Sequence, residues 1–323
     1  MKTNNVSYQI EYFIKNSSYK KVKGSNNIGL SENSVRSYRS LYRIWQDFEL
    51  YNGDTIEMSE MNKDIIYKFI YWIVNVRKYS VNYQGQLLKQ LKSICKEAEK
   101  GGEDVNAYYN YIESYKQRNS DRILITLNSV EIDQLKKIKE LSFELENVRK
   151  WFLLGLNIGQ RISDLLKLKP NNFRKAPNGG KYVNLIQQKT NKLVTIGIID
   201  PIILSFIDNE YPMRIHATEF NKKIKELCKL AGMDQIIKGY KVNPITNRKE
   251  MDLYPKYELI TSHTMRRSFA TNYFGKIETP ILMEITGHTR ESTFLSYIGE
   301  NPNKDAVADV FMERLRRLGN EGE

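Results

Sequence analysis

The chain has 323 residues, enough for two domains, and its 41% hydrophobic and 27% charged residues exclude a disordered chain. No stretch approaches the run of roughly 18 apolar residues that a membrane span needs. Fifty Lys and Arg against 38 Asp and Glu leave a net charge of +12, which makes nucleic acid a plausible partner.

The start, MKTNNVSYQIEYF, has no apolar run behind its charge and does not read as a secretory signal, so a cytoplasmic protein is expected. Two cysteines, Cys95 and Cys228, exclude a disulfide framework or a zinc site. Both lie in lysine-rich helical patterns and are read as small buried residues.

YQIEYFIKN suggests one helix near the start. Residues 31–51 begin with a cap-type serine and place Val35, Tyr38, Leu41, Tyr42, Trp45 and Phe48 at helical steps. Residues 61–78 predict a buried helix, and residues 80–102 another, stopped by Gly101 and Gly102. A shorter helix is expected around Val105–Tyr115. Basic faces lie on two of these helices: Arg36, Arg39 and Arg43 on one, Lys89, Lys92 and Lys96 on the other. The polar, non-periodic run KQRNSDR (116–122) reads as a linker. The expected domains are 1–118, all helical, and 119–323.

The second block opens with a capped amphipathic helix, ITLNSVEIDQLKKIKEL, then an apolar helix ended near Gly159. YVNLIQQ and LVTIGII flank the turn KTNK and predict a hairpin. Beyond Phe220 the pattern reads as helical, apart from a Pro/Asn/Tyr-rich loop at about 239–258. The fold class is mainly α with a small antiparallel sheet.

Four segments look built for chemistry. In GLNIGQRISDLLKLKP, Arg161 follows the Gly159 break and could hold a phosphate oxygen with Asp164 orienting it; an Arg–Asp pair stabilising the turn is the plainer alternative. Lys189 sits at the hairpin tip, where a lysine is usually just solvated. In TSHTMRRSFATNYFG, His263 and Arg266 share a helix face next to cap-type residues, a natural phosphate site. A hydrogen-bonded histidine and a solvated arginine would fit that pattern too. In ITGHTRESTFLSYIG, His288 precedes Tyr297, which taken alone is one of 21 tyrosines and could be a packed aromatic. His216 has no such company and reads as a surface or structural histidine.

Taken in order, Arg161, Lys189, His263-x-x-Arg266, Gly287-His288 and Tyr297 resemble the catalytic signature of the tyrosine recombinase (phage integrase) family. R-I-S-D, H-T-x-R-R-S-F-A-T and I-T-G-H resemble its bacterial members. The likeness spans the second block, and the helical first block resembles the family's core-binding domain with less specificity. It implies a two-domain DNA clamp, with Tyr297 as nucleophile and Arg161 and Arg266 stabilising the phosphoryl charge. It further implies Lys189 as general acid to the leaving 5′ oxygen, His263 assisting proton movement, and His288 donating to a phosphate oxygen. The product would be a 3′-phosphotyrosyl link that is rejoined without metal or ATP, so no cofactor and no metal site are expected.

The implied partner is double-stranded DNA with specific recombination sites. Arg36, Arg39, Arg43, Lys89, Lys92, Lys96 and Arg267 are the expected DNA contacts. A homo-tetramer is expected in the synaptic complex, a monomer or weak oligomer without DNA, no membrane association, and residence in the nucleoid. The tail VADVFMERLRRLGNEGE, striped by Val307, Val310, Phe311 and Leu315, is expected to pack on a neighbouring protomer. With only about 30 residues before the first strong helix, no extra N-terminal DNA-reading domain is expected. That leans toward a simple recombinase or inversion enzyme over a directional integrase. Two alternatives remain: strand swivelling of the type IB topoisomerase kind, and a DNA-binding regulator without chemistry.

Overall fold

The structure is a computed structural model and describes residues 4–21, 28–118, 122–246, 248–298, 308–309, 311–313 and 315–316. The chain separates into two compact units: Met1–Asp121 with Pro244–Arg248, and Arg122–Asn243 with Lys249–Glu323.

The first unit is helical. Helix α1 (Val6–Lys15) is capped by Asn5, whose side chain accepts the Tyr8 amide. Helix α2 (Glu32–Asn52) starts at the Ser31 cap and stops at Gly53, in left-handed backbone. Helix α3 (Lys63–Tyr71) runs into a π turn, Trp72–Val76, and α4 (Val81–Lys100) follows. The expected helix around Val105–Tyr115 is a correction. Only Ala107–Tyr111 is helical, as a 3₁₀ turn, because Tyr109 and Ile112 bury while their neighbours stay out, a pattern too short for an α-helix. Trp45, Phe48, Phe69 and Trp72 form the centre of this unit, with Trp45 and Phe69 ring centroids 5.0 Å apart.

The second unit is mixed. Helix α5 (Ser129–Lys137) begins with a capping box between Asn128 and Glu131. Helix α6 (Phe143–Ile158) is apolar almost all round and forms the core, ending at Gly159. A single turn, α7 (Ile162–Leu165), leads to β1 (Phe173–Lys175), β2 (Lys181–Ile186) and β3 (Leu193–Ile198). These three strands make an antiparallel sheet in the order β1-β2-β3, with Leu185 opposite Val194. The hairpin is as expected; β1 was too short for alternation to show.

Helices α8 (Pro201–Asn209) and α9 (Ala217–Leu230) follow. The segment expected to be a loop at about 239–258 is instead a second antiparallel hairpin, β4 (Ile236–Val242) with β5 (Lys249–Pro255). Most of its residues stay exposed, so no buried face imposed the alternation that marks a strand. Helices α10 (Lys256–Leu259), α11 (Ser262–Tyr273), α12 (Thr279–Thr286) and α13 (Glu291–Leu295) complete the unit. Helix α11 lies against α6 where a Cβ on Gly155 would come within 2.2 Å of Met265 Sδ. That close approach fixes the helix carrying His263 and Arg266 against the core.

Within the described part of the tail the residues are helical, and Phe311, Met312 and Leu315 are exposed; Val307 and Val310 lie outside the described residues. No described helix is long and apolar enough to cross a membrane. Cys95 and Cys228 are fully buried, and burial pushes the Cys95 thiol up to about 12.

Candidate active site

The two glycine-ended helices and the first hairpin bring the expected residues together in the second unit. Arg161 is the cap residue of α7, two residues after the left-handed Gly159. Arg266 points from the first turns of α11 into the core and is 1% exposed. Its Nη1 donates to Gly159 O at 3.1 Å, and its Nη2 to Thr286 O. One guanidinium thereby ties the end of α6 to the end of α12.

The same Nη2 lies 3.3 Å from His288 Nε2, and His288 Nδ1 lies 2.9 Å from Thr286 Oγ1. A guanidinium only donates, so Nε2 accepts and the proton of the neutral ring sits on Nδ1. Thr286 Oγ1 accepts a hydrogen bond from that N–H and donates its own to Leu282 O at 2.5 Å. The chain of donors is complete with His288 neutral. Its Nε2 is thus turned to Arg266.

Tyr297 stands beside all three. Its ring centroid is 5.2 Å from that of His263, 4.8 Å from that of His288, and 5.6 Å from Arg266 Cζ. Lys189 is exposed in the turn between β2 and β3. Burial, then the nearby cations, hold His263 down to about 4 and His288 down to about 3. For His263 these are Arg267, Arg266, Arg161 and Lys189; for His288 they are Arg266, Arg161 and Lys189. The same effects, burial first and Arg161 second, lower Arg266 to about 10, so it stays charged at neutral pH.

Among the described residues, no carboxylate forms an ion pair with Arg161, Lys189 or Arg266. Arg161 Nη1 and Arg266 Nε are buried with no hydrogen-bond partner. Asp164 was expected to orient Arg161. It is buried but its Oδ1 accepts the Gln188 amide at 3.1 Å, and no ion pair joins it to Arg161. It anchors the hairpin turn, because that turn packs over α7 and offers a free N–H. Arg267 is half-buried, and burial lowers its pKa.

In the first unit, Arg36, Arg39, Arg43, Lys89 and Lys96 are exposed on α2 and α4, with Arg39 3.2 Å from Glu32. Lys92 Nζ donates to Asn110 O and Ile112 O, pinning the 3₁₀ turn. Sequence reasoning missed a polar groove between these helices, where Gln86 and Gln90 both donate to Ser37 Oγ. His216 is exposed at the start of α9, as expected. Also missed were Gln160, Gln187 and Thr286, all fully buried beside the site.

No protein-family model matches the chain, and no curated protein matches its sequence. Solved structures do resemble it. A lambda integrase fragment dimer bound to a COC′ core site is 14% identical with a TM-score of 0.64, covering 92% of this chain and 95% of that one. A lambda integrase tetramer bound to a Holliday junction is 13% identical with a TM-score of 0.63, covering 94% and 80%. The XerH site-specific recombinase in a post-cleavage complex with palindromic difH substrate is 14% identical with a TM-score of 0.62, covering 90% of each chain. The fold is that of the tyrosine recombinases. The likeness of the tyrosine recombinase fold extends over both units of this chain, and the six residues of the signature lie in the second.

Proposed function

We propose that the protein is a site-specific DNA recombinase that cleaves and rejoins strands through a 3′-phosphotyrosyl intermediate on Tyr297. The observation that carries this reading is a cluster of cations that no carboxylate ion-pairs among the described residues. Arg161 and Arg266 each carry a buried guanidinium N–H without a hydrogen-bond partner, and Arg266 lies 5.6 Å from the Tyr297 ring. An unpaired buried donor costs about 1–3 kcal/mol, and a phosphodiester would satisfy both arginines.

In the reaction, Tyr297 Oη forms a bond to phosphorus as the P–O5′ bond breaks. The phenol proton goes to His263, which is neutral at pH 7 and becomes more basic once an anion offsets its neighbours. Lys189 gives a proton to the leaving 5′ oxygen. Arg161 and Arg266 stabilise the charge that gathers on the non-bridging oxygens, and His288 holds Arg266 in place. The energy of the broken bond is kept in the covalent link, so the freed 5′ hydroxyl reverses the step without ATP.

The basic faces of α2 and α4 supply phosphate contacts that hold duplex DNA in register. A tetramer on two sites fits the exposed apolar residues of the tail and the lambda integrase assembly on a Holliday junction. The test uses DNA flanking the gene, nicked so that the cleaved strand diffuses away. Wild type should give a covalent protein–DNA adduct on a denaturing gel, and Tyr297→Phe should give none. An adduct in both would mean that another residue is the nucleophile. DNA binding without an adduct in either would favour a regulator, and efficient relaxation of any supercoiled plasmid would favour strand swivelling.

A further inference from the structure

We propose that Gln160 and Gln187 form a buried amide latch that positions Lys189. The inference rests on the reading of Lys189 as general acid and goes beyond it, because neither glutamine touches the reacting atoms. Both side chains are 0% exposed. Gln160 Nε2 donates to Ile158 O at 3.0 Å and to Ile285 O at 2.8 Å. Gln160 Oε1 accepts Gln187 Nε2 at 2.8 Å, and Gln187 Nε2 also reaches Ile285 O at 3.3 Å. Gln187 Oε1 accepts the Thr190 hydroxyl at 2.9 Å.

The pair therefore joins three segments. Gln160 is the residue before Arg161, Gln187 lies two residues before Lys189, and Ile285 lies three before His288. The main chain of Gln187 also closes the hairpin turn, its N–H donating to Lys192 O and its carbonyl accepting the Asn191 N–H. Lys189 itself is exposed, so nothing else in its own side chain fixes where the ammonium goes. A buried polar pair with every partner satisfied is rigid, and a half-satisfied one is costly. The amides thus set the turn, and the turn sets the reach of Lys189.

The discriminating experiment compares two nicked DNA substrates, one normal and one with sulfur replacing the leaving 5′ oxygen. A thiolate leaves without being protonated, so it bypasses the general acid. Gln187→Leu keeps the apolar volume and removes the amide. It should slow adduct formation about 100-fold on the normal substrate and less than about fivefold on the sulfur substrate, with DNA affinity unchanged. Equal losses on both substrates would overturn the latch.

A second measurement does not depend on activity. Hydrogen exchange at the amides of residues 188–192 should quicken in Gln187→Leu while α6 stays protected; unchanged exchange in the turn would also overturn the proposal. If the single variant unfolds, Gln160→Leu with Gln187→Leu leaves no amide unpaired and takes its place. Should wild type cleave neither substrate, the recombinase reading fails, and the exchange result alone decides the latch.

Discussion

Arg266 does two jobs that pull in different directions. It is held by backbone carbonyls at Gly159 and Thr286, which makes it a strut, and its Nε is left for a ligand. A lysine cannot copy that fork, because its ammonium is a single point of charge. Arg266→Lys should lose about 10²–10³ in cleavage rate with little change in DNA affinity, as measured by single-turnover adduct formation. The histidines make a separate prediction. An unfolded histidine takes a proton near pH 6.5, whereas folded His263 and His288 resist until about 4 and about 3. Between those values the unfolded chain binds more protons, so stability is full above about pH 6.5 and falls as pH drops through the window. Melting temperature followed from pH 7.5 to 4.5 should decline less steeply in His288→Gln than in wild type. At this scale the gathering of His263, Arg266, His288 and Tyr297 was legible from their order and flanking letters. Gln160 and Gln187 were not, because a glutamine carries no sign of burial until its partners are known. The tautomer of His288 was equally hidden, since only its contact with the Arg266 guanidinium fixes which ring nitrogen is bare.

Among the elements, the end of α12 is the tightest point. Gly287 takes left-handed backbone at φ 63°, and a Cβ there would lie 1.9 Å from Gln187 Oε1. Gly287→Ala therefore meets both backbone strain and a clash with the amide pair. It should lower the melting temperature and slow cleavage more than that stability loss explains, in a paired thermal and adduct assay. Helices with a full apolar stripe, α2, α4 and α6, were readable from spacing. So was the β2–β3 hairpin, since one face of it is buried in the core. The β4–β5 hairpin was not, because its strands carry lysines, a glycine and a proline on largely exposed faces. The 3₁₀ turn at Ala107–Tyr111 was over-read as a longer helix, although only Tyr109 and Ile112 of that segment are buried.

For the whole molecule, charge is the property that matters most. A net +12 with exposed Arg36, Arg43, Lys89 and Lys96 predicts steeply salt-dependent DNA binding. Each phosphate contact adds about 0.9 to the slope of log affinity against log salt. Neutralising Arg36, Arg43, Lys89 and Lys96 one at a time should lower the measured slope by about that amount, whereas Lys92→Gln should act on stability first. Removing residues after about 305 should leave binding to a single site intact and abolish strand exchange between two sites, read by gel shift and by product formation. Recombination surviving that deletion would sink the role given to the tail.

The unpartnered N–H groups of Arg161 and Arg266 would also make the folded state an anion receptor that the unfolded chain lacks. Any small anion that enters that cluster shifts the folding equilibrium by mass action, adding about 2.7 kcal/mol when present at a hundred times its dissociation constant. Inorganic phosphate or sulfate should therefore raise the melting temperature of wild type in a saturable way, and raise that of Arg266→Lys much less. On the proposed reading, the same linkage makes the protein most durable while it is on DNA.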